Sequence, residues 1–249
     1  MPLATSLKQL FTNLRLALVE LLFPSACLAC RCPLPPGALP MFCPACLARI
    51  ELVKGPLCKG CGRQFPKAAG GDHLCGLCLS GHYHFDRARA VAIYTEPFSQ
   101  VIHRFKYQGE THALSSFRAL RELLPKPTAE PLDLVLPVPL HDRKLRQRGF
   151  NQAVLLARLF FPKDRRRIRT DLLVREIDTE PQTSLSGQAR RRNLKKAFAL
   201  RKPEAVRGKR IVLVDDVFTT GTTVNECAKI LKKGGALRVE VLTLARVRE

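Results

Sequence analysis

Two groups of residues in this sequence have the types and spacing that chemistry requires. The first lies within residues 211–223. There a continuous apolar run meets two adjacent acids, Asp215 and Asp216, then Val217, Phe218, Thr219, Thr220, Gly221, Thr222 and Thr223. Neighbours in a regular strand point to opposite faces. Where the chain turns at a strand's carboxyl end, however, both acids can face one ligand, and open α/β sheets bind their ligands at that end. Gly221 permits close backbone approach, and the N-terminus of a following helix offers unpaired N–H groups to an anion. The four threonines add hydroxyl donors. The expectation is a phosphate cradle beside two carboxylates placed for sugar hydroxyls and a metal. Other phosphate motifs are absent: there is no G-x-G-x-x-G, no G-x-x-x-x-G-K-[ST], and the adjacent acids lack the D-x-D spacing of aspartyl-phosphate enzymes. The plainer alternative is an acidic strand end followed by an ordinary N-capped helix. Two acids, four threonines and a glycine in nine residues argue against it.

The second group is cysteine. Nine of the ten cysteines fall between Cys27 and Cys78, and eight form the C-x-x-C pairs Cys27/Cys30, Cys43/Cys46, Cys58/Cys61 and Cys75/Cys78. A secreted disulfide scaffold would need a signal peptide. Leu7, Leu10, Phe11, Leu14, Leu18, Leu21 and Leu22 recur at helical spacing, with Lys8, Asn13, Arg15 and Glu20 on the other side. Ser25-Ala26 is small enough for a cleavage site, but Arg15 and Glu20 interrupt the apolar core that a signal peptide needs. The expectation is an amphipathic helix over 1–24 capping its own protein, a reducing cytoplasmic compartment, and cysteines acting as thiolates on a metal.

One C-x-x-C knuckle brings two thiolates to an ion, and two knuckles complete the tetrahedral set of structural zinc. Gaps of 12 residues from Cys30 to Cys43 and 13 from Cys61 to Cys75 suit short hairpins. Sequential pairing gives two four-cysteine zinc ribbons. An interleaved cross-brace stays open, as do free cysteines or disulfides, because spacing alone does not choose partners. Closed four-sulfur sites leave no position for water, so these zincs are structural. Cys32 is either an alternate ligand or a spare thiol, and Cys227 is a small core residue. His73, His82, His84, His103, His112 and His141 lack ligand spacing, and His73, though near Cys75, is read as surface.

These groups need a frame. From about residue 85 the cysteines stop and apolar patterns alternate. Strands are expected at 89–95, 134–138, 172–176, 210–214 and 238–245, and helices at 98–106, 113–124, 151–161 and 224–233. That alternation predicts an α/β fold on a parallel sheet. The domains expected are the helix at 1–24, a double zinc ribbon at 25–84 and the α/β domain at 85–249. With 249 residues, 46% of them hydrophobic, the chain can build a core and is not disordered. No stretch approaches the roughly 20 apolar residues of a membrane span. The 42 Lys and Arg outnumber 21 Asp and Glu, and residues 141–249 hold +15 of the net +21. That excess points to a polyanionic partner, nucleic acid or a phosphorylated small molecule.

Residues 215–223 closely resemble the loop that binds 5-phosphoribosyl 1-diphosphate in type I phosphoribosyltransferases. The wider chain resembles the ComF family of competence-associated proteins over nearly its full length. The matching parts are the double C-x-x-C module, Phe105-Lys-Tyr-Gln-Gly109, Pro137-Val-Pro-Leu-His141, Arg148-Gly-Phe-Asn-Gln152, the stretch from Gln182 through Arg190 and Asn193 to Phe198, and the 215–223 loop. A departure is Arg31-Cys32, where the family has glycine after the first C-x-x-C.

The resemblance implies a type I phosphoribosyltransferase-like sheet that binds phosphoribosyl diphosphate with Mg²⁺. Asp215 and Asp216 would take the ribose hydroxyls and help position Mg²⁺, while Val217 and Thr219, Thr220, Gly221, Thr222 and Thr223 would hold the 5-phosphate. The loop 141–149, carrying Arg143, Lys144, Arg146 and Arg148, would meet the diphosphate, with a solvated charged turn as the alternative. Residues 178–198 would form a lid bringing in Gln182, Arg190 and Asn193. Two functions follow from it: a phosphoribosyltransferase, or a non-catalytic accessory factor that binds single-stranded DNA during uptake. DNA-uptake or helicase proteins are further implied partners. The ribbons and the basic C-terminal part favour DNA contact, whereas the absence of Trp and the presence of only three Tyr leave few stacking platforms for bases. Residues 163–169 are either a solvated loop or a nucleic-acid contact. Lys106 and Tyr107 have no role beyond the family likeness.

Overall fold

The computed structural model describes Leu14 and residues 25–66, 68, 70–120, 131–177 and 197–248. The expected helix over 1–24 and the expected lid residues Gln182, Arg190 and Asn193 lie outside the described residues.

The cysteine-rich part contains two short helices, α1 (Pro44–Ala48) and α2 (Gly76–Leu79). The alternating part follows as β1 (Arg87–Ile93), α3 (Phe98–Tyr107), α4 (Ala113–Leu120), β2 (Leu134–Pro137), α5 (Asp142–Arg148), α6 (Gln152–Phe160), β3 (Leu173–Arg175), β4 (Phe198–Leu200), β5 (Arg210–Phe218), α7 (Thr222–Lys233) and β6 (Arg238–Arg246). Four strands form a parallel sheet in the order β1-β6-β5-β2. β5 lies inside it, paired at Val212 with Val135 of β2 and at Val214 with Leu242 of β6. β3 and β4 form a separate antiparallel pair.

Strand alternation divides the core. Val212 and Val214 face one layer with Phe98, Val101, Ile102 and Phe105 of α3 and Leu156 and Phe160 of α6. Ile211 and Leu213 face the other with Val224, Cys227 and Leu231 of α7. Each ribbon adds to one layer, Cys27, Leu28, Phe42 and Ile50 to the first and Cys58, Cys61 and Cys75 to the second. Among the described residues, no helix is long and apolar enough to cross a membrane.

From residue 85 on, the structure adds one helix and one strand to those expected, and β3 lies outside the parallel sheet. Residues 142–148, read as a loop, form the helix α5. His141 caps it by accepting the Arg143 N–H on Nδ1 at 3.3 Å, and Gly149 closes it at φ 76°. Between them, Arg, Lys, Leu and Gln are good helix formers. β4 was not expected, because three residues are too few to show a period.

Candidate functional site

β5 does not end at Val214 but runs through both acids to Phe218. Asp215 and Asp216 therefore begin on opposite faces, a correction to the expected turn. Asp216 lies on the α3 face, where its Oδ1 sits 2.8 Å from Nζ of Lys106. Asp215 is close enough to Cys227 of α7 and Arg175 of β3 for their charges to couple. The alternation then breaks. Asp215 pairs with Thr243 and Val217 with Ala245, while Val217 packs with the α3 layer and Phe218 with the α7 layer. The break falls at the strand's carboxyl end, and the Lys106 charge reaches both acids there.

Burial and the neighbouring Asp216 charge push Asp215 up to about 7, against the pull of Lys106. Burial opposes the Lys106 ammonium, but Asp216 and then Asp215 outweigh it and raise its pKa. The site thus holds two carboxylates, one of them easily protonated, around a single ammonium. Lys106 is the residue that sequence reasoning missed. Its signal was a lysine four residues after buried Ile102, on the margin of the apolar stripe of α3. Gln152, buried at the start of α6, donates from Nε2 to the Lys106 carbonyl at 3.0 Å. Arg148 stacks over the Tyr107 ring at 4.6 Å. The 105–109 and 148–152 segments, far apart in sequence, therefore meet beside the acids.

After Phe218 the chain turns through exposed Thr219 and Thr220 to Gly221, which has φ 73° and caps α7. A Cβ at Gly221 would lie 2.5 Å from Cζ of Phe218, so both space and backbone demand glycine. Thr222 and Thr223 open α7, and the Thr220 and Thr222 hydroxyls are 2.7 Å apart. The first-turn N–H groups and these hydroxyls gather donors of the kind an anion takes beside the acids. α5 follows the carboxyl end of β2, the strand next to β5, and carries Arg143, Lys144, Arg146 and Arg148. Of these, Arg148 reaches the Tyr107 wall. Between α5, α6 and β3 lies a cavity of about 710 Å³, lined in part by His141, Asn151, Arg158, Arg175 and Arg201.

In the cysteine-rich part the pairing is sequential. The thiols of Cys58, Cys61, Cys75 and Cys78 lie within 4.8 Å of one another. So do those of Cys27, Cys30, Cys32 and Cys43, which places Cys32 where the spacing argument put Cys46. Cys46 remains beside that group, with its N–H directed to Cys43 Sγ at 3.5 Å. Further N–H groups point at sulfur from Cys43 to Cys27 and from Cys75 to Cys58, both at 3.3 Å. All ten cysteines are free of disulfides. Converging thiols that accept backbone N–H bonds are the donor set of structural zinc. His73 stands apart, stacked on Phe65 and bonded to the Gly71 carbonyl.

A phosphoribosyl transferase domain family matches residues 148–249, and a double zinc ribbon family matches residues 18–79. DNA utilization protein YhgH of Escherichia coli is 37% identical over 229 residues, which cover 90% of this chain and 97% of the relative. Competence protein F of Haemophilus influenzae is 34% identical, covering 82% and 96%. Competence protein ComFC of Bacillus subtilis is 27% identical, covering 82% and 83%.

Proposed function

The chain belongs to the competence protein F family, a phosphoribosyl transferase domain joined to a double zinc ribbon, and on that premise we propose that it binds 5-phosphoribosyl 1-diphosphate with Mg²⁺ and transfers the phosphoribosyl group to a nitrogenous acceptor in a process tied to DNA uptake. The observation that carries this reading is the junction of β5 and α7, where two carboxylates with a lysine counter-ion adjoin a glycine-capped helix N-terminus.

In this reading Asp215 and Asp216 accept from the ribose hydroxyls and hold the metal. The hydroxyls of Thr219, Thr220, Thr222 and Thr223, with the Val217 and Gly221 backbone and the first N–H groups of α7, hold the 5-phosphate. Arg143, Lys144 and Arg148 meet the diphosphate, and Gln182, Arg190 and Asn193 are assigned to the same ligand. Mg²⁺, when bound, offsets the charge of the departing diphosphate. Lys106, on α3, offsets the charge of the acids where a ligand cation would otherwise do so. Calorimetry is the test. Heat that depends on Mg²⁺ and disappears in Asp215→Asn/Asp216→Asn is expected, and no heat in the unmodified protein would sink the reading.

A second reading, an accessory factor binding single-stranded DNA without turnover, is favoured by the exposed basic turn Arg165–Arg167. Affinity that falls steeply with salt and survives the aspartate substitutions would support it. Negligible binding at physiological salt would remove it.

A further inference from the structure

The two ribbons share one knuckle geometry. In the second, the Cys58 N–H donates to the Arg63 carbonyl at 2.7 Å and the Gly62 N–H to the Cys58 carbonyl at 3.0 Å, with Gly62 at φ 73°. In the first, the Cys27 N–H donates to the Cys32 carbonyl at 2.8 Å and the Arg31 N–H to the Cys27 carbonyl at 2.9 Å, with Arg31 at φ 67°. Position by position, Arg31 stands where Gly62 does and Cys32 where Arg63 does.

A residue with a Cβ in this left-handed region is strained by about 1–2 kcal/mol. Arg31 is nonetheless held there, with its guanidinium paired to Glu110 beyond the end of α3. The turn that brings the Cys32 carbonyl back to Cys27 also brings its thiol into the cluster. Cys32 thus lies within 4.8 Å of Cys27, Cys30 and Cys43. The Cys46 thiol is within hydrogen-bonding reach of those same three. Five thiols converge in the first ribbon and four in the second, whereas tetrahedral zinc accepts four.

We propose that the first zinc is held by Cys27, Cys30 and Cys43 in every state, and by either Cys32 or Cys46 in its fourth position. Exchange breaks one Zn–S bond and forms another, and the departing thiolate takes up the proton that the arriving thiol releases. The two arrangements differ in exposure, since Cys46 is 5% exposed while Cys32 is half-buried. The first ribbon is therefore an exchangeable site that incoming metal or chelator can enter by ligand replacement. The second, with no spare thiol, is not.

The test uses the full chain purified as Cys32→Ser, as Cys46→Ser and as the double variant, with zinc content and the absorption of Co²⁺-substituted protein as readouts. Either single variant should keep both ions, with first-site affinity lowered about twofold if the two ligands share the site equally, and more for the variant that loses the ligand with the larger share. The double variant should lose the first ion alone, the second serving as an internal standard for folding. Zinc should leave wild type for a chelator in two phases, and either single substitution should slow the faster one. Loss of the first ion in Cys46→Ser alone would make Cys32 a bystander, and loss in Cys32→Ser alone would make Cys46 one. Either result, or retention of both ions by the double variant, overturns the proposal.

Discussion

Replacing Lys106 by methionine keeps the stem and removes the charge. In the native protein Nζ lies 2.8 Å from Asp216 Oδ1, with the lysine side chain 18% exposed and the aspartate side chain 10%. Removing one partner of an enclosed ion pair costs about 3–5 kcal/mol, because the other charge is left without compensation. Residual exposure places this site at the lower end, about 3 kcal/mol at pH 8.5. The loss should depend on pH. Asp215 titrates at about 7, well above its ordinary 3.8, with burial and Asp216 pushing it up and Lys106 holding it down. An acid raised on folding destabilises nothing below its unfolded pKa, and its penalty grows as pH rises toward the folded value. Without Lys106 that folded value moves higher still. At pH 6 Asp215 of the variant stays protonated; toward pH 8.5 it is driven to ionise beside Asp216 with no cation present. The penalty at pH 6 should be smaller by at least about 1 kcal/mol, within the limit of about 1.4 kcal/mol per pH unit for one proton. Urea denaturation at the two pH values measures this. The double variant Lys106→Met/Asp216→Asn should regain most of the loss at pH 8.5. Equal losses at both pH values, or a double variant no more stable than Lys106→Met, would refute the counter-ion argument.

In the proposed function the raised Asp215 pKa would also govern ligand binding: below about pH 7 a metal-bound ligand would have to expel a proton. Affinity for Mg²⁺ with phosphoribosyl diphosphate, corrected for the ligand's own titration, should rise up to about tenfold per pH unit toward pH 7 and then level off. A flat profile from pH 5.5 to 8 by calorimetry would contradict it. Gly221→Ala combines a left-handed backbone with a Cβ 2.5 Å from Phe218, so it should cost about 2 kcal/mol in thermal denaturation and weaken phosphate binding. Arg246→Leu removes a buried guanidinium that donates to the Cys61 carbonyl at 2.7 Å and lies over the Phe218 ring. It should cost about 1–3 kcal/mol and speed chelator removal of the second zinc, leaving the first unchanged.

What the sequence made legible is what its local patterns encode. The apolar run into Asp215 and Asp216 predicted a buried strand, and Gly221 followed by an amphipathic stretch predicted the helix after it; both are present as β5 and α7. The strand's length was missed because two acids look like an ending. In fact the ladder to β6 continues through Ala245 and Arg246. The helix α5 was missed because six charged and polar residues around a single Leu145 show no apolar period, although its cap at His141 and stop at Gly149 were readable. The role of Lys106 was beyond reach, since it depends on α3 packing against the β5 face that bears Asp216. Cys32 was noticed as an oddity. Its approach to the cluster depends on a left-handed Arg31, which no propensity predicts.

The ribbons and the acids are also coupled in a way that no linear motif conveys. Each ribbon adds to the core layer on one face of β5, and each acid begins on one of those faces. On the α3 face, Arg104 donates from Nη2 to the Ala29 carbonyl in the first knuckle at 2.9 Å, and two residues later Lys106 meets Asp216. On the α7 face, Arg246 donates to the Cys61 carbonyl in the second knuckle and lies over Phe218, whose ring fills the space beside Gly221. In both cases an arginine from the α/β part takes a carbonyl between or at the cysteines of a knuckle. Such a carbonyl keeps its direction only while the knuckle is closed, and structural zinc supplies its binding energy as folding energy. Closed metal sites with no position for a substrate can therefore matter to the proposed phosphate site, which they never touch. They hold Arg104, two residues before Lys106, on one side of the acids and Arg246, over the Phe218 ring beside Gly221, on the other.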